Sequence, residues 1–211
     1  KDFLANFLRS QEQNREPLMT EQAVSEFVIQ MSDPKTGIPH TKHTKNLTKK
    51  ELAPVDAKEG CAGVKPGDTI EVHWVHSSCD VTPGKSLGSC LSESCGNPDL
   101  RVETQVFLVV NDPSALNFGD MTYGGNIVDG LHQAKSLPGD TGTPVEFPGS
   151  TTGPKYTPET CSPLQVTWSV RPKCAKVDIN SLAQWCKGNT FEEDHAHGVR
   201  KLVTNPKLLS N

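Results

Sequence analysis

Residues 69–76 read TIEVHWVH, and this stretch decides the fold. It is rich in β-branched and aromatic residues, and the turn-forming run Pro66-Gly67-Asp68 precedes it, so the pattern predicts a β-strand. Successive side chains of a strand point to opposite faces. The side chains of Ile70, Val72 and Trp74 therefore form one apolar face that can cover a core.

Glu71 and His73 share the other face of this predicted strand. A carboxylate and an imidazole on one face fit a metal-bound histidine whose ring is oriented by the carboxylate. A buried pair that is simply hydrogen-bonded would give the same pattern, and so would a second strand face that is exposed to water. His76 lies three residues from His73, so a regular strand places it on the opposite face, where it would not bind the same ion without a bulge.

The composition favours a mainly β chain. Of its 211 residues, 34% are hydrophobic and only 6% aromatic, while 17 glycines and 16 prolines suit many turns between short strands. The formal net charge of −4, without a basic stripe, argues against a nucleic-acid partner. No apolar run approaches the ~20 residues that a membrane-spanning helix needs, so we expect no transmembrane segment.

The remaining periodic segments complete a predicted fold of the mainly β (α+β) class. This fold is an antiparallel β-sheet or sandwich core with N-terminal helices and a short C-terminal helix. Alternating apolar residues predict two further strong strands at 101–110 and 164–170, and two weak strands near 126–128 and 144–147. The C-terminal helix is predicted at 178–186, where apolar residues recur on one side.

Two parts of the chain differ in pattern. Residues 1–50 are predicted to form an N-terminal helical segment and polar arm, and residues 51–211 a β-rich domain. Apolar residues fall at helical spacing in 3–8 and 24–31, with Pro17 between them. The apolar stripe of these helices would dock on the β core or on a partner chain, so a protein partner at the N-terminal helices is one prediction.

The chain has seven cysteines, which is many for a cytosolic protein of this size. None forms a CxxC pair, and this disfavours a structural zinc site of four thiolates. Disulfides with one cysteine left over fit the count better, and they predict an oxidising compartment: secreted, periplasmic or an organelle lumen. The spacing leaves the pairing open, with Cys79 to Cys90 or Cys95, and Cys161 to Cys174, as local candidates.

The histidines offer a possible catalytic metal site. A catalytic zinc ion commonly has three protein ligands and one open position. His195 and His197 are two residues apart, so both lie on one face if their segment is extended, and with His73 they would supply three metal ligands. An exposed acid-rich loop is the alternative, because Glu193 and Asp194 precede them. No GxSxG motif, glycine-rich phosphate loop or HExxH run suggests a different catalytic chemistry.

Nine segments carry a family resemblance: ELAPVD at 51–56, PGDTIEVHWV at 66–75, LGSCL at 87–91, RVETQV at 101–106, GTPV at 142–145, GSTTGP at 149–154, SPLQVTWSVRPK at 162–173, EDHAHGVR at 193–200 and LVTNP at 202–206. Together they resemble the delta-class carbonic anhydrases over about residues 51–211. The resemblance implies a zinc ion bound through three histidines and the hydration of CO2.

The run EVHW at 71–74 is also similar to the strand that supplies one zinc histidine in the alpha-class carbonic anhydrases. Carried over to this chain, the resemblance makes His73 a metal ligand. It makes Glu71 the carboxylate of the catalytic site that orients this ligand, and His76 a non-ligand. That last assignment agrees with the alternation of the strand.

The chain departs from the delta-class pattern upstream of residue 51. Members of that class carry a histidine-rich run with an HxH element there, and this chain has only His40 and His43, without an HxH. The other two ligands therefore come from elsewhere, or the metal site is degenerate. His195 and His197 form the HxH that the sequence does contain, and their assignment as ligands rests on spacing and not on the family.

The resemblance implies a zinc carbonic anhydrase that hydrates CO2 reversibly to bicarbonate by a metal-bound hydroxide. The alternative is a catalytically degenerate family member that acts as a structural or accessory subunit of a larger assembly, docked through its N-terminal helices. A third interpretation is a disulfide-rich binding module, which predicts no metal. The retained EVHW strand and the histidine tail with His195 and His197 favour the enzyme, and the missing upstream HxH favours the accessory subunit.

Overall fold

The structure, a computed structural model, describes residues 22–23, 30–31, 46–56, 60–85, 87–151 and 164–198. Its strands are β1 Gln22–Ala23, β2 Gln30–Met31, β3 Thr69–Ser77, β4 Leu100–Val110, β5 Ile127–Val128, β6 Leu131–His132, β7 Val145–Thr151, β8 Leu164–Val170, β9 Ala175–Asp178 and β10 His197–Gly198. An α-helix, α1, spans Ile179–Cys186. Within the described residues, no helix is long and apolar enough to cross a membrane.

The β3–β4 pair forms the centre of the larger sheet. These strands are antiparallel over nine residue pairs, with His73 opposite Thr104. The sheet has the order β10-β2-β3-β4-β8-β7, while β1 also pairs with β3 and β9 with β4. The mainly β class, the strong strands and the C-terminal helix are confirmed. The apolar alternation was sufficient to predict them because each strand has a face to bury.

The predicted antiparallel arrangement is only partly correct, because the sheet is mixed. Strand β4 pairs in parallel with β8 and, beyond it along the same edge, with β9. Parallel neighbours require a long connection to bring the chain back in the same direction, and the 53 residues between Val110 and Leu164 supply it. Arg171 continues the ladder across the gap between β8 and β9, because its N–H donates to the carbonyl of Thr104 at 3.0 Å.

The main core lies between one face of the central strands and α1. Trp74 is 1% exposed, packs edge-on against Phe107 and donates its indole N–H to the Met121 carbonyl at 2.8 Å. The helix begins at a capping residue, Asp178, whose carboxylate accepts from the Ser181 N–H. The other buried members of this cluster include Ile70, Val72, Val109, Phe118, Val177, Ile179, Leu182 and Trp185.

Two disulfides stabilise this arrangement. Cys79–Cys95 closes the loop after β3, and it is one of the pairings that spacing left open. Cys61–Cys186 joins the segment before β3 to the end of α1 across 125 residues, and no local spacing predicted it. The predicted Cys161–Cys174 pairing is not borne out, because Cys174 is a free thiol in the structure. Both disulfides are compatible with the predicted oxidising compartment.

The N-terminal helices are not supported. Two segments of the predicted helical region, Gln22–Ala23 and Gln30–Met31, are short strands that pair antiparallel with β3. Hydrogen bonds offered by the free edge of β3 outweigh the helical spacing of the apolar residues there, because local propensity is weak against tertiary pairing. The remainder of residues 1–45, including the apolar stripe proposed to dock a partner, lies outside the described residues.

Candidate functional site

Glu71 and His73 form a hydrogen-bonded pair on one face of β3. The Nε2 atom of His73 lies 2.9 Å from Oε1 of Glu71, and His73 is only 6% exposed. A carboxylate only accepts hydrogen bonds, so Nε2 is the donor and Nδ1 keeps its lone pair. The imidazole therefore presents Nδ1 as a potential metal ligand, held in orientation by Glu71.

The surroundings of His73 combine a polar atom with aromatic rings. Thr104 faces it across the β3–β4 pair and is 1% exposed, and its hydroxyl has no hydrogen-bond partner within the described part of the chain. The Trp168 ring packs edge-on against His73 with centroids 5.4 Å apart, and Phe147 stacks on Trp168 at 6.5 Å. The His73 ring is thus covered by an aromatic side chain from β8 and is adjacent to an unsatisfied hydroxyl.

Gly149 permits this position of Trp168. A Cβ atom at Gly149 would lie 2.8 Å from two atoms of the indole ring, closer than real Cβ atoms approach other atoms. Strand β7, which carries Gly149, also carries Val145 and Phe147, which are 59% and 45% exposed. The β7–β8 pair therefore places exposed apolar surface beside the aromatic cover of His73.

His76 lies on the opposite face from His73, as the alternation of a strand requires. Burial is the main cause that lowers its pKa, while the nearby Glu103 carboxylate acts in the other direction. His76 lines a cavity of about 510 Å³ together with Arg101 and Arg171. Its position excludes His76 from binding an ion at the Nδ1 of His73 while β3 remains a regular strand.

His195 lies in an exposed segment beyond α1. Its side chain is 54% exposed, and its Nδ1 lies 2.6 Å from the Asp194 carboxylate, a hydrogen bond that lowers the pKa of Asp194. The backbone of the segment forms a bridge with Ala62. An acid-rich exposed loop therefore describes the surroundings of His195, and the carboxylate beside it would orient its ring.

His197 reaches the sheet through its backbone. Strand β10 pairs His197 with Gln30, and β2 pairs Gln30 with Glu71, so the three residues occupy one row across the sheet. Two strand spacings correspond to about 10 Å between the backbones of His197 and Glu71. The structure describes the backbone of His197 but not its side chain. Within the described residues, no group of three or more His, Cys, Asp or Glu side chains could hold a metal ion.

Sequence reasoning singled out Glu71 and His73 but missed Thr104, Trp168 and Phe147. These residues belong to three different strands, and only the register of β3, β4, β8 and β7 brings them to one face. A polar residue in the middle of the apolar β4 run was the available signal for Thr104. The aromatic pair gave no signal of its own, since aromatic residues in strands usually pack in a core.

Comparison with protein families gives one match. A family model described as Delta carbonic anhydrase matches residues 19–181. Comparisons with curated proteins and with solved structures gave no match. The matched range contains Glu71 and His73, starts before the resemblance seen in the sequence, and ends before His195 and His197. It also contains His40 and His43, which lie outside the described residues.

Proposed function

We propose that this chain, which belongs to the delta carbonic anhydrase family, catalyses the reversible hydration of CO2 to bicarbonate with a zinc ion bound by His73. The family match over residues 19–181 is the observation that carries the proposal. Membership implies a metal cofactor and, as substrate and product, CO2 and bicarbonate. The finer assignments, zinc and the individual ligands, are inferred from the chemistry of the residues present.

The described residues fit a metal at His73. The Nδ1 atom of His73 has no hydrogen-bond partner among them, and the buried Thr104 hydroxyl opposite is also without one. Directly opposed residues in an antiparallel pair have Cβ atoms about 4.5–5.5 Å apart. A buried polar group without a partner costs free energy, so the Thr104 hydroxyl favours a bound group beside it and beside Nδ1 of His73.

Glu71 acts as a positioning residue in this proposal. By accepting from Nε2–H it selects the tautomer with the lone pair on Nδ1, restricts rotation of the ring and increases the basicity of the ligand atom. Zinc, when bound, supplies a Lewis acid that makes water nucleophilic at neutral pH. The Thr104 hydroxyl would then donate to, or accept from, a group held beside His73.

The aromatic and aliphatic side chains provide the environment for CO2. Trp168 covers the His73 ring, and Phe147 and Val145 extend the apolar surface along β7. A linear, uncharged molecule such as CO2 loses little on leaving water and can contact this surface.

His195 and His197 are proposed as the remaining ligands because of their HxH spacing. The row that joins His197 to Glu71 through Gln30 supports this choice, since it puts the backbone of His197 two strands from the site. His40 and His43 are the competing pair, because they lie within the matched range. Zinc content decides between the pairs: we expect His195→Ala with His197→Ala to lose zinc, and His40→Ala with His43→Ala to retain it.

The proposal is tested by zinc stoichiometry together with stopped-flow CO2 hydration on the full chain. We expect about one zinc per chain, as a single three-ligand catalytic site requires, and loss of both zinc and hydration in His73→Ala. His132→Ala is the matched control, since His132 bonds to the Tyr123 hydroxyl away from this face. Absence of zinc and of hydration in the unmodified chain would overturn the proposal. The accessory-subunit alternative depends on the N-terminal segment, and no observation on the described residues favours it.

A further inference from the structure

The chain contains one acceptor sequence for N-linked glycosylation. Residues 46–48 read Asn-Leu-Thr, and the middle residue is not proline, so the triplet fits the N-x-S/T pattern. No other asparagine of the 211 residues has a serine or threonine two positions later. The triplet lies outside the proposed metal site and outside the cavity of His76, so a role for it does not rest on the proposed function.

The triplet leads into an exposed turn that precedes β3. Asn46 and Thr48 are exposed, and Leu47 between them is half-buried. The Thr48 hydroxyl donates to the Glu51 carboxylate at 2.8 Å and accepts from the Glu51 N–H at 3.2 Å, while the Thr48 N–H donates to the same carboxylate at 2.7 Å. This reciprocal pattern is a capping box. It fixes the shape of the turn and leaves Asn46, which precedes the box, at the surface.

Residues from later in the chain attach this turn to the sheet. The Glu51 carbonyl accepts from the N–H of Asn111, directly after β4, at 2.8 Å, and the Glu51 carboxylate pairs with Lys176 of β9. Both partners are synthesised after residues 46–48, because synthesis proceeds from the N-terminus. In a chain that is translocated during synthesis, the triplet therefore emerges before its folded surroundings exist. In that state its Asn and Thr side chains are accessible to a glycosylating enzyme.

The attachment of the turn lies at a distance from the Glu71–His73 pair. His73 is opposite Thr104 in the β3–β4 pair, and Asn111 follows Thr104 by seven residues along an extended backbone. At about 3.3 Å per residue, the backbones of Thr104 and Asn111 are about 23 Å apart. A glycan at Asn46 is therefore carried by a segment attached at the end of β4, away from the aromatic surface beside His73.

The disulfides are an independent observation on the compartment. Cys79–Cys95 and Cys61–Cys186 are of the kind that forms in oxidising compartments, and the lumen of the endoplasmic reticulum is one of these. N-linked oligosaccharides are added to N-x-S/T triplets at the surface of secreted proteins. An exposed triplet and two disulfides in the same chain therefore point to the same route through the cell.

We propose that Asn46 carries an N-linked oligosaccharide. In the transfer step, the side-chain amide nitrogen of Asn46 attacks the anomeric carbon of an oligosaccharide that is carried on a lipid diphosphate. The new C–N bond replaces the C–O bond to the diphosphate, which leaves with the lipid, and the nitrogen loses one proton, so the amide stays neutral. The step needs no oxidant or reductant. The added group is bulky and hydrophilic, so it makes this part of the surface more soluble.

The test is translation of the full chain, behind a leader peptide for the endoplasmic reticulum, in the presence of microsomes from that organelle. Protease-protected chains, which are the translocated ones, are compared on a gel before and after endoglycosidase H. We expect a mobility shift of one glycan, because the chain has a single triplet. Asn46→Gln and Thr48→Ala should abolish the shift. Thr48→Ser, which keeps the pattern, and Asn97→Gln, at an exposed asparagine outside it, should retain the shift.

Glu51→Gln separates recognition of the triplet from the structure of the turn. This variant removes the charge that pairs with Lys176 and leaves residues 46–48 unchanged, so it should be glycosylated like the unmodified chain. The measurement does not depend on folding, because transfer precedes it. Protected chains without a shift would overturn the proposal, and so would a shift that persists in Asn46→Gln. In the native protein, peptide N-glycosidase in ¹⁸O water should convert Asn46 to labelled aspartate, and recovery of that peptide with unmodified asparagine only would overturn the proposal as well.

Discussion

The β3–β4 pair presents two faces built from alternate residues of the same two strands, and each face is used differently. One face has Trp74 and Phe107 in the main core and the His76 cavity at its other end. The other face carries the Glu71–His73 pair between a second apolar cluster and the exposed side chains of β7. Each face of the pair therefore combines a buried apolar cluster with a polar site.

The difference lies in how polar groups are satisfied. In the main core the one polar atom of Trp74 has a partner, the Met121 carbonyl. On the His73 face and in the cavity, Thr104 and His76 keep buried polar atoms without partners in the described residues. Unsatisfied groups cost stability, so their position away from the main core separates folding from binding.

The largest effect expected is on folding. Trp74→Ala should lower the free energy of unfolding by about 3–5 kcal/mol, because it removes a buried ring and leaves the Met121 carbonyl unsatisfied. Urea unfolding measures the change. The zinc affinity of the Trp74→Ala protein that remains folded should equal that of the unmodified chain, since Trp74 faces away from His73. A loss of zinc affinity in the folded fraction would contradict the separation of the two faces.

The next effect is on metal binding. Glu71→Ala should weaken zinc affinity by about 10- to 100-fold, because the ring of His73 loses the partner that fixes its tautomer. Glu71→Gln retains an acceptor at this position and should weaken affinity less. Competition with a chromophoric chelator measures both variants. Equal losses would indicate that the charge of Glu71, and not its hydrogen bond to His73, is what matters.

Thr104 allows stability and binding to be separated at one residue. Thr104→Val should leave the free energy of unfolding unchanged or raise it by about 1 kcal/mol, because it replaces an unsatisfied buried hydroxyl. The same variant should weaken zinc affinity by about threefold to tenfold, through the lost hydrogen bond to a group beside His73. Thr104→Ser keeps the hydroxyl and is the control. Unchanged zinc affinity in Thr104→Val would assign the hydroxyl no role in the site.

The smallest expected effect is on how stability depends on pH, and it comes from His76, which lines the cavity. Burial lowers the pKa of His76 in the folded state, so its contribution to stability is present above the unfolded pKa of about 6.5 and declines as the pH falls below that value. The charges of Glu103 and Arg101 act on its pKa, and Arg171 and Asp129 line the same cavity. His76→Phe should lose this part of the decline below about pH 6.5, measured as Tm against pH. Parallel curves for the two proteins would show that His76 does not titrate with unfolding.

Local patterns predicted the strands and the helix because each has a face to bury over seven or more residues. The strands β3, β4 and β8 and the helix α1 were all found in this way, and the pairing of Glu71 with His73 followed from alternation alone. The Asp129–Gly130 turn had a sequence signal as well, since Asp-Gly between apolar residues is typical of a two-residue hairpin. The weak strand near 126–128 was predicted without this turn, so the β5–β6 hairpin that lines the His76 cavity was missed.

Properties that depend on distant residues could not be predicted. The parallel pairing of β4 with β8, the disulfide across 125 residues and the position of Trp168 over His73 all depend on which strands become neighbours. Periodicity within one segment carries no information on its neighbour. The prediction of N-terminal helices is not supported for the same reason. The edge of β3 offers backbone hydrogen bonds to β1 and β2, and the local spacing of apolar residues does not reveal them.

The Cys61–Cys186 disulfide has a consequence for how the molecule responds to cleavage. It closes the polypeptide from the segment before β3 to the end of α1 into a covalent ring that contains the central strands, the hairpin and the Glu71–His73 pair. A protease that cuts once at the exposed Asp129–Gly130 turn opens the ring but leaves both fragments attached to each other. The nicked protein should therefore migrate as one species on a gel until reductant is added, and then separate into two.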